Sequence, residues 1–313
     1  MTEISSDSLT SFISAEWNRH VPAEVETAAK AIAGQYGDSV AGVIFYGSCL
    51  RTGEIIDKIL DFYVIVDSYQ VAYSGRMLAL ANKILPPNVF YHEMVVNGVT
   101  VRSKYAVLSL DDLKFRTSAE CLNVSVWARF CQPCMLLAAK DDISTNMIAD
   151  AVAAAVATMF KNFLDLEPSA VDSRRLWVGA FEQTYAAELR SERSGKGLEI
   201  YLLDQARYDR LTPVALSAIG IDHEPAATQH QPTRMQGWRP RLRWMARRWN
   251  GKIVSFLRLV KATATFDGGI DYLAWKISRH SGVEIEIKDW MRKHPIIAGV
   301  SLFWSLRKEG AFK

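Results

Sequence analysis

Two short stretches of the sequence carry residue types that can hold a phosphate group and a metal ion. Gly47 and Ser48 end the apolar, β-prone run 40–46, and a helical turn is expected after them. A strand that ends this way brings backbone N–H groups and a hydroxyl to one point, which suits a phosphate. Asp61 lies in the next apolar run, 59–66, and its carboxylate can hold Mg²⁺ against triphosphate oxygens. The alternative interpretation is an ordinary turn followed by a strand with one exposed aspartate.

The elements around these residues must form a small sheet if Asp61 is to reach the Gly-Ser pair. In chain order the pattern predicts a helix, a strand, a helical turn, a strand, a helix and a hairpin. Asn97-Gly98 is the strongest short signal for such a hairpin turn. The ranges of the helices and strands are 23–36, 40–46, 59–66, 71–85, 89–96 and 99–108.

From about residue 111 onward the pattern becomes helical, with 145–164 and 174–190 as the clearest helices. A stretch rich in Pro, Gln and Thr, 224–240, predicts a linker, and helix-like segments follow at 242–262 and 270–281. We therefore expect an α+β protein, in which a small mixed-sheet domain precedes a mainly helical C-terminal region. The expected divisions are a catalytic domain over 1–115, a helical domain over 116–223, and a linker with basic amphipathic helices over 224–313.

The composition is that of a globular protein, and the net charge of +3 is too modest to indicate nucleic acid by itself. The four cysteines are too few and too irregularly spaced for a disulfide framework, which suits a reducing compartment. The first seven residues lack the features of a signal peptide. The most apolar stretch, 148–160, is too short to span a membrane. We expect neither a signal peptide nor a transmembrane helix.

The order and spacing of these residues resemble the DNA polymerase beta-like nucleotidyltransferase superfamily. Its pattern is a hydrophobic residue and Gly-(Gly/Ser), followed by Asp-x-(Asp/Glu) on the next strand. Here Tyr63 stands where the second carboxylate of that pattern is expected. Asp67, further along the chain, and Glu93, on the first hairpin strand, are the candidates to replace it. We favour Glu93, because the third carboxylate of the superfamily lies on a strand that neighbours the strand of Asp61.

A narrower family resembles more of the chain. Tyr46-Gly47-Ser48, Leu60-Asp61-Phe62 and Lys104-Tyr105-Ala106-Val107, ahead of Asp112-Leu113, are similar to the phosphatidate cytidylyltransferases (CDP-diacylglycerol synthases) of the mitochondrial translocator assembly and maintenance type. Thr184-Tyr185 with Glu188 and Arg190 resembles the family's Ser-Tyr-x-Gly-Asp-x-Arg segment. The resemblance covers 40–113 well and the helical middle thinly. It implies transfer of CMP from CTP to phosphatidic acid, with Mg²⁺ as cofactor, to give CDP-diacylglycerol and pyrophosphate.

The resemblance also implies roles for individual residues. The catalytic residues would be Asp61, Ser48 and Lys104, and the metal ligands would be Asp61 and Glu93. The nucleotide would be bound by Tyr46, Gly47, Ser48, Lys104, Tyr105 and Arg190. For Lys104 and Arg190 the alternative is a solvated surface cation. A phosphate monoester acceptor has a second pKa near ~6, so it is already largely ionised at neutral pH and no general base is required.

The C-terminal third is basic and rich in tryptophan. Between Glu224 and Asp267 no acidic residue occurs, whereas nine Lys and Arg residues do. A helix beginning at Pro240 would carry one apolar stripe with most of its basic residues outside it. The stripe consists of Leu242, Met245, Trp249, Ile253, Phe256, Leu257 and Val260.

This pattern predicts a helix that lies on an anionic membrane surface. The expected contacts are Arg243, Arg247, Arg248, Trp249 and Lys252. Two alternatives stay open, because the stripe could pack on the protein's own core and the basic face could bind nucleic acid. With the family resemblance added, we expect a membrane and no nucleic acid.

We therefore expect a peripheral membrane protein on the cytoplasmic or matrix-like face that acts as a phosphatidate cytidylyltransferase. One alternative is a nucleotidyltransferase that acts on a soluble or nucleic-acid acceptor. The other alternative is a catalytically inactive lipid-binding protein that keeps the fold without the metal site, as Tyr63 would allow.

Overall fold

A five-stranded mixed sheet positions the residues described above, in a computed structural model that describes residues 4–168, 172–188, 195–221, 238–265 and 287–293. The strand order is β3-β4-β2-β1-β5. Strands β2 and β4 pair in parallel, and the other neighbours pair antiparallel. The strands are β1 (Val40–Tyr46), β2 (Ile59–Val66), β3 (Asn88–Val96), β4 (Val99–Ser109) and β5 (Cys134–Ala139).

Helices make up most of the rest of the described chain, and the prediction of an α+β protein is confirmed. In chain order the helices are α1 (Ile4–Glu16), α2 (Ala23–Gly34), α3 (Ser48–Thr52), α4 (Tyr69–Ala72), α5 (Arg76–Ile84), α6 (Leu110–Thr117), α7 (Trp127–Phe130), α8 (Asp142–Leu166), α9 (Ser173–Ala186), α10 (Lys196–Leu203), α11 (Gln205–Ala218), α12 (Trp238–Thr265) and α13 (Asp289–Lys293).

The sheet is buried on both faces, which explains why β2 is an almost uninterrupted apolar run. On one face, Ile44 and Tyr63 share a core with apolar residues of α1, α8 and α9. On the other face, Phe62 and Val64 pack with α2, whose buried residues recur at helical spacing. Because successive strand residues alternate between faces, neighbouring residues of one strand place their side chains in different cores.

The predicted hairpin is confirmed, because β3 and β4 pair along their whole length on either side of Asn97-Gly98. Asn97 has a φ of 52° and Gly98 a φ of 79°. Two consecutive positive φ values are what a two-residue type I′ turn requires, and Asn followed by Gly tolerates them best. In place of the predicted helix 71–85 there are two helices, α4 and α5, because the helical conformation is interrupted at Ser74-Gly75.

The sheet does not end at the predicted boundary at residue 115. Strand β5 comes after that boundary and pairs antiparallel with β1, so one sheet joins the predicted catalytic and helical domains. The same core continues through α8 and α9 to Trp244 of α12. Six residues of apolar sequence cannot be assigned to a strand by periodicity alone, and the sequence therefore did not reveal β5.

Helix α8 is long and apolar enough to cross a membrane by length and composition, and within the described ranges it alone passes that test. Of its most apolar window, 61% is buried inside the protein. Val152, Val156 and Phe160 recur on its buried side in the shared core. Its apolar character is therefore explained by core packing. The predicted helix 270–281 and the linker residues 224–237 lie outside the described residues.

Candidate active site

The end of β1 and the beginning of β2 form the site that the sequence indicated. Tyr46 pairs directly with Asp61, and Gly47 follows with a φ of 93° and a ψ of −164°. A Cβ atom at Gly47 would lie 2.7 Å from the Oδ2 atom of Asp61. The Asp61 carboxylate therefore packs directly against bare backbone, and any larger residue at position 47 would displace it.

The short helix α3 begins directly after this contact. Gly47 is its N-cap, and Ser48, its first residue, is exposed. The thiol of Cys49 donates a hydrogen bond of 3.2 Å to the carbonyl of Ile59, which ties the turn to the first residue of β2. Strand pairing on one side and this bond on the other hold the Gly-Ser turn beside Asp61.

Lys104 is the second charged residue of the site. In the parallel pairing of β2 with β4 it lies opposite Asp61, and its Nζ atom is 2.9 Å from the Oδ1 atom of that carboxylate. The Lys104 side chain is 36% exposed and that of Asp61 is 21% exposed, so the pair is open to solvent. Both residues had been singled out from the sequence, and the structure brings them together.

Glu93, the favoured second metal ligand, is not adjacent to the strand of Asp61. Strand β4 lies between β3 and β2, because the second strand of the hairpin rather than the first pairs with β2. The Glu93 carboxylate forms an ion pair with Arg102, with an N–O distance of 3.1 Å, and accepts a hydrogen bond from Tyr91. The other candidate, Asp67, forms an ion pair with Lys140. Across the described ranges, no group of three or more His, Cys, Asp or Glu residues could hold a metal ion.

Tyr105 and Tyr63 are both buried, but on opposite faces of the sheet. The prediction that Tyr105 contacts the nucleotide is corrected, because its ring is buried on the face opposite Asp61, stacks on Phe90 and donates a hydrogen bond to Gln35. Its neighbour Lys104 points to the other face, as strand alternation requires. Tyr63, at the position of the missing carboxylate, is buried on the face of Asp61, with its ring 5.2 Å from that of Tyr46.

Arg129 of α7 is a cation that the sequence did not reveal. Its Nη1 atom lies 3.2 Å from the Glu188 carboxylate. Burial opposes its charge, yet Glu188, Tyr63, Tyr46 and Asp61 together hold the pKa of Arg129 above its usual value. Glu188 belongs to the segment whose sequence resembles Ser-Tyr-x-Gly-Asp-x-Arg. The predicted nucleotide contact in that segment, Arg190, lies outside the described residues.

Two further cations reach this region from α12. Arg258 donates hydrogen bonds to the carbonyl of Pro86, 2.9 Å from its Nε atom, and to the hydroxyl of Ser125, 2.7 Å from its Nη1 atom. Lys261 donates to the carbonyl of Pro87 and to the side chain of Asn88, each at 2.9 Å. Burial lowers the pKa of Arg258 to about 10, although Tyr63 opposes the shift. Burial, with the charges of Arg258 and Arg116, lowers the pKa of Lys261 to about 8.

The packing of α12 corrects one of the predicted membrane contacts. Trp244 is buried beside Trp127, and Arg247 is 1% exposed and donates a hydrogen bond to Asn162. At Gly251 an added Cβ atom would lie 1.9 Å from the carbonyl oxygen of Ala187, so the helix backbone touches α9's C-terminal end. Arg247 is thus corrected from a membrane contact to a core residue, because its guanidinium points into the protein.

The opposite side of α12 is exposed and apolar. Its exposed large side chains are Trp238, Leu242, Met245, Trp249, Ile253 and Leu257. The predicted alternative in which this stripe packs on the core does not apply to these residues. Arg243 and Arg248 lie on the exposed part of the helix and also donate hydrogen bonds to the protein, to Ala119 and Gln183 respectively.

Comparisons with known proteins find similarity among solved structures. No protein-family model matches the chain, and no curated protein matches it. Among solved structures, the chain is similar to a nucleotidyltransferase-like protein from Exiguobacterium sibiricum 255-15. The sequence identity is 11% and the TM-score 0.27, with 91% of this chain and 92% of that chain covered. At this level of similarity, function has to be argued from the site residues themselves.

Proposed function

We propose that the protein is a nucleotidyltransferase in which Asp61 binds the Mg²⁺ ion of a magnesium–nucleoside triphosphate complex. The observation that carries the proposal is the packing of the Asp61 carboxylate against the bare backbone of Gly47. Ser48 is exposed beside it, so a triphosphate could approach the turn closely. Mg²⁺ in such sites is usually held by one or two carboxylates together with substrate phosphates and water, and a single aspartate therefore fits this ion.

Lys104 would act on the triphosphate directly. Its side chain is flexible and partly exposed, so it can turn from Asp61 towards a phosphate oxygen. As the bond between the α-phosphorus and its bridging oxygen breaks, negative charge builds up on the departing pyrophosphate, and an ammonium group at that position stabilises it. Mg²⁺, when bound, supplies further neutralisation of the triphosphate oxygens.

The finer proposal is that CTP is the nucleotide and phosphatidic acid the acceptor. It is supported by the resemblance in Leu60-Asp61-Phe62 and in the segment beginning at Lys104. It is also supported by chemistry, because an ionised phosphate monoester oxygen can attack the α-phosphorus of CTP without a general base. The attack forms a new P–O–P bond and expels pyrophosphate, and the product is CDP-diacylglycerol.

The direct test is incubation of the purified protein with CTP labelled on its α-phosphorus, with Mg²⁺, and with or without vesicles that contain phosphatidic acid. The proposal predicts a labelled lipid and release of pyrophosphate only when both substrates are present. Label in RNA or in a water-soluble acceptor would favour a different nucleotidyltransferase. Absence of any CTP turnover, with vesicle binding intact, would favour an inactive lipid-binding protein.

We also propose that the exposed side of α12 rests on an anionic membrane. Trp249, Ile253 and Leu257 are exposed apolar residues on one side of a helix whose exposed neighbours include Arg243, Arg248 and Lys252. An exposed apolar stripe flanked by cations is typical of helices that lie in the headgroup region. No acidic residue occurs in this helix, so an anionic surface would meet no like charge there.

The membrane proposal is tested by reversing charge at Arg243, Arg248 and Lys252 together, each to Glu. Since each basic residue near the surface contributes about 1 kcal/mol, sedimentation with anionic vesicles should weaken by at least about tenfold. The matched control reverses three exposed cations elsewhere, Lys30, Lys114 and Arg174, with the same change of net charge. Equal sedimentation of the two triple variants would contradict the proposal.

A further inference from the structure

We infer that Arg258 of α12, together with Arg129 of α7, forms an anion site that binds the phosphate monoester group of the acceptor. The inference rests on the proposed function, because it assigns the acceptor side of that reaction. Neither residue belongs to the Gly47, Asp61 and Lys104 group that the sequence indicated. The site is formed where a remote helix closes over the face of the sheet that carries the catalytic aspartate.

The two arginines meet at Ser125, close to Tyr63. Arg129 donates a hydrogen bond to the carbonyl of Ser125, and Arg258 donates one to its hydroxyl. Tyr63 lies two residues after Asp61 on the same face of β2, and its ring centroid is 5.1 Å from that of Phe130, the residue after Arg129. The charges of Tyr63 and Asp61 also favour the charged form of Arg129. The region runs from the catalytic carboxylate, past the buried Tyr63 ring, to Arg258.

The charges in this region favour an anion. Arg129 forms an ion pair with Glu188, and Arg116 forms one with Asp112. Arg258 donates hydrogen bonds to a carbonyl and a hydroxyl, both of which are neutral, and Glu188 is an acidic group that acts on it electrostatically. With Lys261, which interacts with Arg258 and Arg116, four cations face these two carboxylates, and a dianionic phosphate would balance the excess of two positive charges.

The guanidinium of Arg258 is also held in position before any ligand binds. The carbonyl of Pro86 accepts bonds from its Nε and Nη2 atoms, and Ser125 accepts from its Nη1 atom. Fixing a planar guanidinium in this way lowers the entropy that ligand binding would otherwise cost. Burial of a cation among neutral acceptors is unfavourable in itself, and a bound phosphate would offset that cost.

The position suits the acceptor better than the triphosphate. Lys104 lies beside Asp61 in the same row of the sheet, next to the Gly-Ser turn. Arg258 approaches Tyr63, which is one pleat further along the strand, from the side of Pro86. An in-line displacement requires the attacking oxygen and the departing oxygen to lie on opposite sides of the α-phosphorus. Arg258 at the attacking phosphate and Lys104 at the departing pyrophosphate meet that requirement.

The experiment measures binding of two ligands to the full-length protein by calorimetry. The probes are a short-chain phosphatidic acid, dioctanoyl phosphatidic acid, below its micelle concentration, and CTP with Mg²⁺. Arg258→Met should weaken binding of the phosphatidic acid about tenfold or more, which corresponds to about 1.4 kcal/mol, and leave CTP binding within about twofold. Arg258→Lys keeps the charge but loses the planar guanidinium. Its affinity for the phosphatidic acid should therefore lie between those of the wild type and Arg258→Met.

Lys30→Met is the matched control, because Lys30 is an exposed cation of α2, which packs on the other face of the sheet. It should bind both probes as the wild type does. A phosphodiester of the same chain length, dioctanoyl phosphatidylcholine, should bind equally weakly to the wild type and to Arg258→Met. Melting temperatures identify any variant that has lost its fold, and Arg258→Lys then carries the test.

Three results would overturn the inference. They are unchanged binding of phosphatidic acid by both Arg258 variants, a loss confined to CTP, and equal affinity of the wild type for the phosphodiester. The transfer assay on the wild type separates this outcome from failure of the proposed function. If Arg258→Met loses binding of phosphatidic acid but the wild type shows no transfer, the proposed reaction is rejected and the anion site is retained.

Discussion

The strand ends around Asp61, where β1 ends and β2 begins, and the helix α12 both supply charged groups to one face of the molecule, but they are held by different interactions. At the strand ends, Gly47, Asp61 and Lys104 are brought together by strand pairing, so their positions follow from register. On α12, Arg258 contacts Pro86, 172 residues earlier in the chain, and its position depends on how Trp244 and Gly251 pack.

The residues proposed to bind the triphosphate and those proposed to bind the acceptor are therefore held in place by different parts of the fold. Substitutions at these strand ends should act on the chemistry and leave the rest of the fold in place. Substitutions on the inward side of α12 should act through packing, unless they remove a cation that meets substrate. Variants that separate these effects test the comparison directly.

The largest effect is expected from Asp61→Asn. The amide has nearly the same shape but carries no charge, so it cannot hold Mg²⁺ as the carboxylate would. Transfer of the CTP label should fall below detection, while the melting temperature stays close to that of the wild type because the side chain is partly exposed. Wild-type turnover by the purified variant would show that the site has been assigned to the wrong residue.

Two tryptophans of α12 provide the next test. Trp244 is buried and donates a hydrogen bond to the carbonyl of Asn162, whereas Trp249 is 67% exposed. Trp244→Ala should lower the free energy of unfolding by about 3–5 kcal/mol. Trp249→Ala should change it by less than about 0.5 kcal/mol and weaken vesicle sedimentation. Chemical denaturation of both variants measures the difference, and equal destabilisation would contradict the orientation of the helix.

Substitutions at two glycines distinguish the effect of backbone strain from the effect of contact with Asp61, the proposed catalytic carboxylate. Gly47 and Gly53 both have positive φ values, of 93° and 73°, but an added Cβ atom meets Asp61 at the first and nothing within 4 Å at the second. Gly53→Ala should cost about 1 kcal/mol of stability and leave activity unchanged. Gly47→Ala should cost about 1–3 kcal/mol and reduce transfer strongly. Similar activity of the two variants would refute the role given to the contact.

The smallest effect is the pH dependence of Lys261. Its surroundings on α12 and beside β3 include Arg258 and Arg116, the carbonyls of Leu85 and Pro87, and Asn88. Burial lowers the pKa of Lys261 from 10.5 to about 8, so the folded state releases this proton at a lower pH than the unfolded state does. The cost of burying the charge is present below about pH 8 and is relieved as the pH rises above it.

The matched variant for this prediction is Lys261→Met, which removes the titrating group. The melting temperature of the wild type minus that of the variant should increase between pH 7 and pH 9. Measuring the difference removes the contributions of groups that titrate in both proteins. A difference that stays constant, or that decreases with pH, would show that the pKa of Lys261 is not lowered.

Much of the sheet could be predicted from the sequence, because its evidence is local. Strands β1 and β2 have the predicted bounds, and the Asn97-Gly98 hairpin is where the turn residues placed it. Asp61 and Lys104 were both singled out, yet their contact could not be derived. It depends on the parallel pairing of β2 with β4, which also places β4 between Glu93 and Asp61.

The sequence by itself determined the residue types of the Gly-Ser turn, the aspartate that follows it and the amphipathic nature of α12. These are properties of neighbouring residues and of helical or strand periodicity. Only the tertiary structure decided which side of α12 faces inward. Its tryptophans and arginines can either pack or remain exposed, and the choice follows from the shape of the surface that receives them. For that reason Trp244, Arg247 and Arg258 point into the protein, while Trp249 and Ile253 lie outside.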